Sequence, residues 1–235
     1  MKVDIWSDIR CPFCYIGKRR FEEALSRFEH KDQVEVVWHS FELDPSMKTQ
    51  PDKNPLEYLA EIKGQTLQWS EQMHRQLTGT AAEVGLTFNF DKCVVANSLD
   101  AHRLIQFAKT KHLGDQTKER LLRAYFTEGV NIADTEALLR MGVEIGLNQQ
   151  ELTRVFQTDA FIENVRSDEA TAQRLGIRGV PFFVVDQQYG VSGAQMPETF
   201  LDALEQAWKE KEKNAAENLT TNEDLGSACE IDGTC

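Results

Sequence analysis

Val3-Asp4-Ile5-Trp6-Ser7-Asp8-Ile9-Arg10-Cys11-Pro12-Phe13-Cys14 joins a short strand signal to a helix start through two cysteines. Cys11 falls at or near the N-cap, and Pro12 falls in the first turn, where its missing N–H costs nothing and its fixed φ suits the helix. Cys14 lies one turn further in, below Cys11 and less exposed. A sulfur at the exposed amino end of a helix meets unpaired N–H groups and the positive end of the dipole, which favour a thiolate. That is the geometry of a thiol–disulfide exchange site, with Cys11 as the attacking thiolate and Cys14 resolving the mixed disulfide. Phe21, Leu25 and Phe28 follow at i, i+4 and i+7 as one buried stripe, so the motif opens an amphipathic helix.

A Cys-x-x-Cys is also half of a zinc set, and Cys229 with Cys235 would complete four sulfurs. The five residues between that second pair exceed the usual spacing, and they stand in a polar stretch, so no metal is expected. Cys93 has no cysteine nearby and reads as a small buried hydrophobe. The five histidines lack H-x-x-x-H spacing.

Composition sets the surroundings. The 235 residues are 41% hydrophobic and 27% charged, ordinary values for a globular protein with a real core. A net charge of −12, from 38 acidic and 26 basic residues, argues against nucleic acid as a partner. No run approaches the ~18 apolar residues of a membrane span, and nothing near Met1 resembles a signal peptide. A cytoplasmic setting is expected, where paired cysteines tend to be catalytic or metal-bound.

A second strand, Val34 to Phe41, follows the first helix, so strand, helix and strand make a βαβ unit with a parallel pair. From about residue 55 to 176 the signals are helical, with apolar spacing at Leu56, Leu59 and Ile62, at Leu99, Ala101, Leu104, Ile105 and Ala108, and at Ala137, Leu138, Met141 and Ile145. Asp134 and Asn148 read as N-caps, with Glu151 placed for a capping box. Strand signals return at Phe182 to Asp186 and Tyr189 to Gly193, before a helix starting near Pro197 that carries Phe200, Leu201, Leu204 and Trp208. The sum is an α/β chain with a thioredoxin-like βαβ…ββα fold, residues 1–54 and 177–213, interrupted by a helical insertion at 55–176. Residues 214–235 read as a flexible acidic tail holding the second cysteine pair. In folds of this kind a cis-proline faces the Cys-x-x-Cys, which places Val180 and Pro181 in a substrate groove beside Pro12 and Phe13.

These stretches resemble the DsbA-like thioredoxin superfamily, and within it the cytosolic FrnE-like oxidoreductases. The resemblance is carried by Ser7 to Lys18, Phe41-Glu42-Leu43-Asp44-Pro45, Asn97 to Arg103, Gly179-Val180-Pro181 and Val191-Ser192-Gly193-Ala194-Gln195. It implies thiol–disulfide exchange on client proteins or small thiols without a bound cofactor, with His102 and Arg103 on the insert helix near the site. Relatives often have Trp where Phe13 stands. Phe13 brings no charge to the thiolate, so the pair is expected to reduce or isomerise client disulfides. The resemblance also implies that Cys229 and Cys235 form a second redox pair. A flexible segment of the intervening length reaches roughly 20–25 Å, enough for a relay to Cys11.

Kappa-class glutathione transferases and hydroxychromene-carboxylate isomerases look similar too. They hold glutathione at the Gly-Val-Pro turn and the Ser-Gly region, here Ser192 and Gly193, so glutathione is a candidate co-substrate. They generally carry Ser at the place of Cys11 and have no partner at Cys14, so two cysteines favour redox exchange. A chaperone-like binder that uses the insert as an apolar groove is a third reading.

Overall fold

The computed structural model describes residues 1–224. Strand β1 (Lys2–Ser7) is buried from Val3 to Ser7, as a central strand covered on both faces must be. Helix α1 (Pro12–Arg27) carries the chain across to β2 (Glu35–Ser40), which pairs parallel with β1, Val3 opposite Val36 and Trp6 opposite His39. Strand β3 (Phe182–Val185) runs antiparallel on the other side of β1, and β4 (Tyr189–Ser192) closes a hairpin on β3. The sheet order is β2-β1-β3-β4, so the parallel pair and the hairpin expected from sequence are joined by the antiparallel pairing of β1 with β3.

Between β2 and β3 stand seven helices: α2 (Pro55–Lys63), α3 (Leu67–Glu83), α4 (Leu99–Lys109), α5 (Gly114–Arg123), α6 (Thr135–Glu144), α7 (Gln149–Gln157) and α8 (Ile162–Arg174). A π-helical turn, Ala124–Glu128, extends α5. Helix α4 is buried at every position from Ala101 to Ala108, which suits the centre of a bundle. It touches α5, α6, α7 and α8, and α5 and α8 close against β2. Asp134 and Asn148 cap α6 and α7 through their side chains. Glu151, placed by sequence for a reciprocal box, pairs with Lys111 at 2.9 Å. Ile62, expected on a buried stripe, is 52% exposed, because α2 packs on the neighbouring α3 and lies at the margin of the insert.

The last helix, α9 (Pro197–Asp224), packs on α1. Phe21 of α1 lies 5.5 Å from Phe183 of β3, and Phe183 lies 4.6 Å from Phe200 of α9, ring centre to ring centre. Phe28 and Trp208 meet edge-on at 6.0 Å further along. Residues 214–224, read from sequence as the start of a flexible tail, continue α9, whose run carries neither Gly nor Pro after Pro197 and passes over the Lys213-Asn214 stop signal. Cys229 and Cys235 lie outside the described residues. One continuous apolar core joins Val3, Ile5 and Phe183 of the sheet to Leu104, Leu121 and Leu138 of the insert. No helix among the described residues is long and apolar enough to cross a membrane.

Candidate active site

Cys11 is the N-cap residue of α1, with extended backbone, and Pro12 takes the first helical position. The Cys14 N–H reaches the Cys11 carbonyl at 3.0 Å, so the helix begins between the two sulfurs. Both thiols are free. Cys11 differs from the exposed thiolate expected from sequence: it is 4% exposed, and Cys14 is 1% exposed. The cover comes from the segment before β3. The Cys11 thiol donates to the Val180 carbonyl at 3.4 Å, and the Val180–Pro181 peptide bond is cis. Half-buried Pro12 and Phe13, 46% exposed, flank the pair on the solvent side.

Glycine at position 17 has a steric reason. A Cβ there would sit 3.0 Å from the Pro181 ring and 3.4 Å from the Ala194 side chain, so only glycine lets α1 approach the Val180–Pro181 turn without displacing it. Gly193 completes this wall. Its N–H donates to the Pro181 carbonyl at 2.8 Å, with φ +81 in the left-handed region. Ser192 pairs with Phe182 in the β-hairpin and is exposed beside it.

Behind the thiols, Asp8 is fully buried. Its carboxylate accepts from the Arg10 N–H at 3.2 Å and the Leu43 N–H at 2.9 Å, and it meets His102 Nε2 at 3.3 Å. Burial opposes the Asp8 charge. The His102 hydrogen bond and charge, helped by Arg10 and the Leu43 N–H, nevertheless hold this carboxyl far below the usual range. His102 therefore stands behind the active loop, at one remove from the sulfurs. Arg103, which the family resemblance places near the site, is engaged inside the insert. Its guanidinium bonds Ala160 O at 2.9 Å, Asp100 at 2.7 Å, and the Val155 and Thr158 carbonyls, and so ties α4 to the segment around α7 and α8. Cys93 is the inert thiol expected from its sequence. It is buried against the Tyr125 carbonyl at 3.3 Å, and burial pushes it up to about 12.

Sequence reasoning passed over Lys118. Helix α5 buries Gly114, Thr117, Lys118, Leu121 and Leu122, which is a core stripe with a lysine in its middle. Lys118 is 1% exposed, and its Nζ donates to the Ser7 carbonyl at 3.3 Å, where β1 ends beneath the active loop. Burial pulls the ammonium down to about 8, against the opposing charges of Cys14, Asp8 and Cys11. A lysine on a helix's apolar stripe is the signal that would have found it.

The two thiols titrate as a pair. For Cys14 burial disfavours the thiolate, but the Cys11 hydrogen bond, the Lys118 charge, the buried Ser7 hydroxyl and the Asp8 N–H outweigh it and draw this thiol below its ordinary value. The Cys14 hydrogen bond, burial and the Cys14 charge then push Cys11 well above its own. Within the pair the thiolate is thus favoured on Cys14 relative to Cys11.

Strand order, crossover and helical insert make this a thioredoxin-like fold with its cysteine pair at the first helix. The DSBA-like thioredoxin domain family matches residues 2–205, and the chain belongs to that family of thiol–disulfide oxidoreductases. The protein YwbO of Bacillus subtilis (strain 168) is 29% identical over 211 residues, covering 89% of this chain and 98% of its own. A crystal structure of a probable DsbA oxidoreductase from Streptomyces coelicolor is 40% identical, with a TM-score of 0.84 over 89% of this chain and 91% of that one. The cytosolic disulfide reductase DsbM from Pseudomonas aeruginosa is 21% identical with a TM-score of 0.63, covering 89% of this chain and 99% of its own, and a further structure of it carries GSH. At that identity DsbM shares the fold.

Proposed function

We propose that this protein reduces or isomerises disulfides of client proteins or small thiols through Cys11 and Cys14. The carrying observation is a pair of free thiols at the N-cap and first turn of α1, with Cys11 against the Val180 carbonyl beside the cis Pro181. Cys11 attacks as its thiolate. A Cys11–client disulfide forms, the client S–S bond breaks, and the departing client sulfur takes a proton from solvent. Cys14 then attacks Cys11, an intramolecular disulfide forms, and the second client sulfur leaves. Two electrons pass to the client. Val180, Pro181, Gly193 and Phe13 form the wall along which an extended client lies, with Ser192 at its rim.

Both cysteines favour exchange over glutathione-dependent isomerisation, because an isomerase has no use for a resolving thiol at position 14. Glutathione fits this reading as the small thiol that returns the pair to its reduced form. A relay through Cys229 and Cys235 belongs to the same proposal and rests on the sequence alone.

Insulin-disulfide reduction by wild type and Cys11→Ser tests the reading. Activity in the wild type that disappears in Cys11→Ser supports it. Activity that survives in Cys11→Ser removes it, and isomerase turnover that survives Cys14→Ser favours the glutathione-dependent alternative.

A further inference from the structure

Lys118 lies within the insert, yet its charged end reaches the Ser7 carbonyl at the end of β1, beneath the active loop. Helix α5 is pinned to α1 around it. Tyr15 donates to Glu119 at 2.7 Å, Arg19 bonds the same carboxylate at 3.0 Å, and Lys18 pairs with Asp115 at 3.4 Å and Glu119 at 3.2 Å. Trp38 forms one wall, its ring centre 5.6 Å from Lys118 Nζ and 5.9 Å from Lys18 Nζ, while its indole N–H holds Asp115 at 2.9 Å. The side chain has little room to leave.

An ammonium this deep needs compensation, and the neutral Ser7 carbonyl supplies none of the charge. The groups that can face it with negative charge are Cys14, Asp8 and Cys11, in that order of effect, and the opposing cation is Lys18, itself matched by Glu22, Asp115 and Glu119. Asp8 is already committed to His102, Arg10 and Leu43. That leaves Cys14, the largest of those opposing charges, as the counter-charge.

We propose, resting on the dithiol-exchange reading above, that Lys118 is a positioning residue for the resolving thiol: its ammonium holds the Cys14 thiolate during the mixed-disulfide stage. The need arises at that stage because Cys11 has then become part of an S–S bond and has no proton left to offer Cys14. What remains around Cys14 is the Ser7 hydroxyl, which has no other hydrogen-bond partner among the described residues, the Asp8 N–H, and the full charge of Lys118. Cys14 releases its proton to solvent, its thiolate attacks Cys11 Sγ, the Cys11–client bond breaks, and the client sulfur leaves as a thiolate.

The test uses the full chain carrying Cys229→Ser and Cys235→Ser, with dithiobis(nitrobenzoate) as the disulfide probe. Cys11 attack releases one nitrothiobenzoate at a rate proportional to probe, and Cys14 attack releases a second at a rate independent of probe. Lys118→Met is expected to slow the second release by about tenfold or more near neutral pH and to move its pH midpoint up toward the ~8.5 of an ordinary thiol. The first release is expected to stay within about threefold, and Lys118→Arg is expected to restore the second. Equal second releases across the pH range, or equal slowing of both, would overturn the proposal. Should Lys118→Met not fold, the parent's own second release decides: a midpoint below ~8.5 supports the proposal and one at or above it overturns it. Failure of the function reading is distinct, since a parent that releases both equivalents from the probe yet leaves insulin oxidised loses its client and keeps Lys118's role.

Discussion

Gly17 shows how little room one residue has in this site. A side chain there must displace Pro181 or Ala194, so Gly17→Val is expected to cost about 1–3 kcal/mol in urea unfolding, as overpacking does. Insulin reduction should fall further than the lost stability explains, because Pro181 is what moves. His102 is tested through Asp8. Replacing it with Leu leaves a buried carboxylate without its imidazole hydrogen bond, and a loss of about 1–3 kcal/mol is expected. Asp8→Asn in the same chain should recover much of that loss, which a merely cavity-driven effect would not allow. The thiols themselves were legible at this scale, since two cysteines around Pro12 announce their chemistry. Their burial was not, because the cover comes from Val180, a distant residue in the chain.

At the scale of elements, a clasp joins β1, β2 and α8. His39 Nε2 lies 2.6 Å from Asp4 and Nδ1 lies 2.8 Å from Asp168, with the Trp6 ring stacked on the imidazole at 4.4 Å. Burial opposes the imidazolium, yet the hydrogen bonds to the two carboxylates win and raise His39 above its ordinary value. A raised group contributes fully below its unfolded value of about 6.5 and loses that contribution as pH rises through the folded value. A tenfold gain in proton affinity on folding corresponds to about 1.4 kcal/mol of stability. The stability gap between wild type and His39→Gln is therefore expected to be widest below about pH 6.5 and to narrow as pH climbs, by urea titration at a series of pH values. Asp4, Asp8 and Asp168 are all lowered, so their contribution is present above about pH 4 and is lost as acid takes the pH down through their folded values. Elements were easier to read than their partners. The periodicity at Phe21, Leu25 and Phe28 gives a helix and its buried face, but no local pattern tells His39 that Asp168 will arrive from α8. Ile62 failed for the same reason: a helical stripe shows that a face is apolar, and the topology determines whether another element covers it.

Among the described residues the molecule is a small sheet with one cysteine pair, backed by a helical insert that sends the Lys118 ammonium to the end of β1 behind that pair. The parallel pair, the hairpin and the helical insert between them followed from the order of elements along the chain. The link between them did not, because Lys118 belongs by sequence to the insert and by its contact with Ser7 to the end of β1. The continuous core running from Val3 to Leu138 is what makes that link rigid. The central claim is that Cys11 captures a client sulfur and Cys14 releases it. Intact mass measured on Cys14→Ser after mixing with a peptide disulfide tests it most directly. A single stable peptide adduct on Cys11, absent from wild type because Cys14 clears it, is the predicted result. No adduct on Cys11, or a wild type that accumulates the same adduct, would contradict the account.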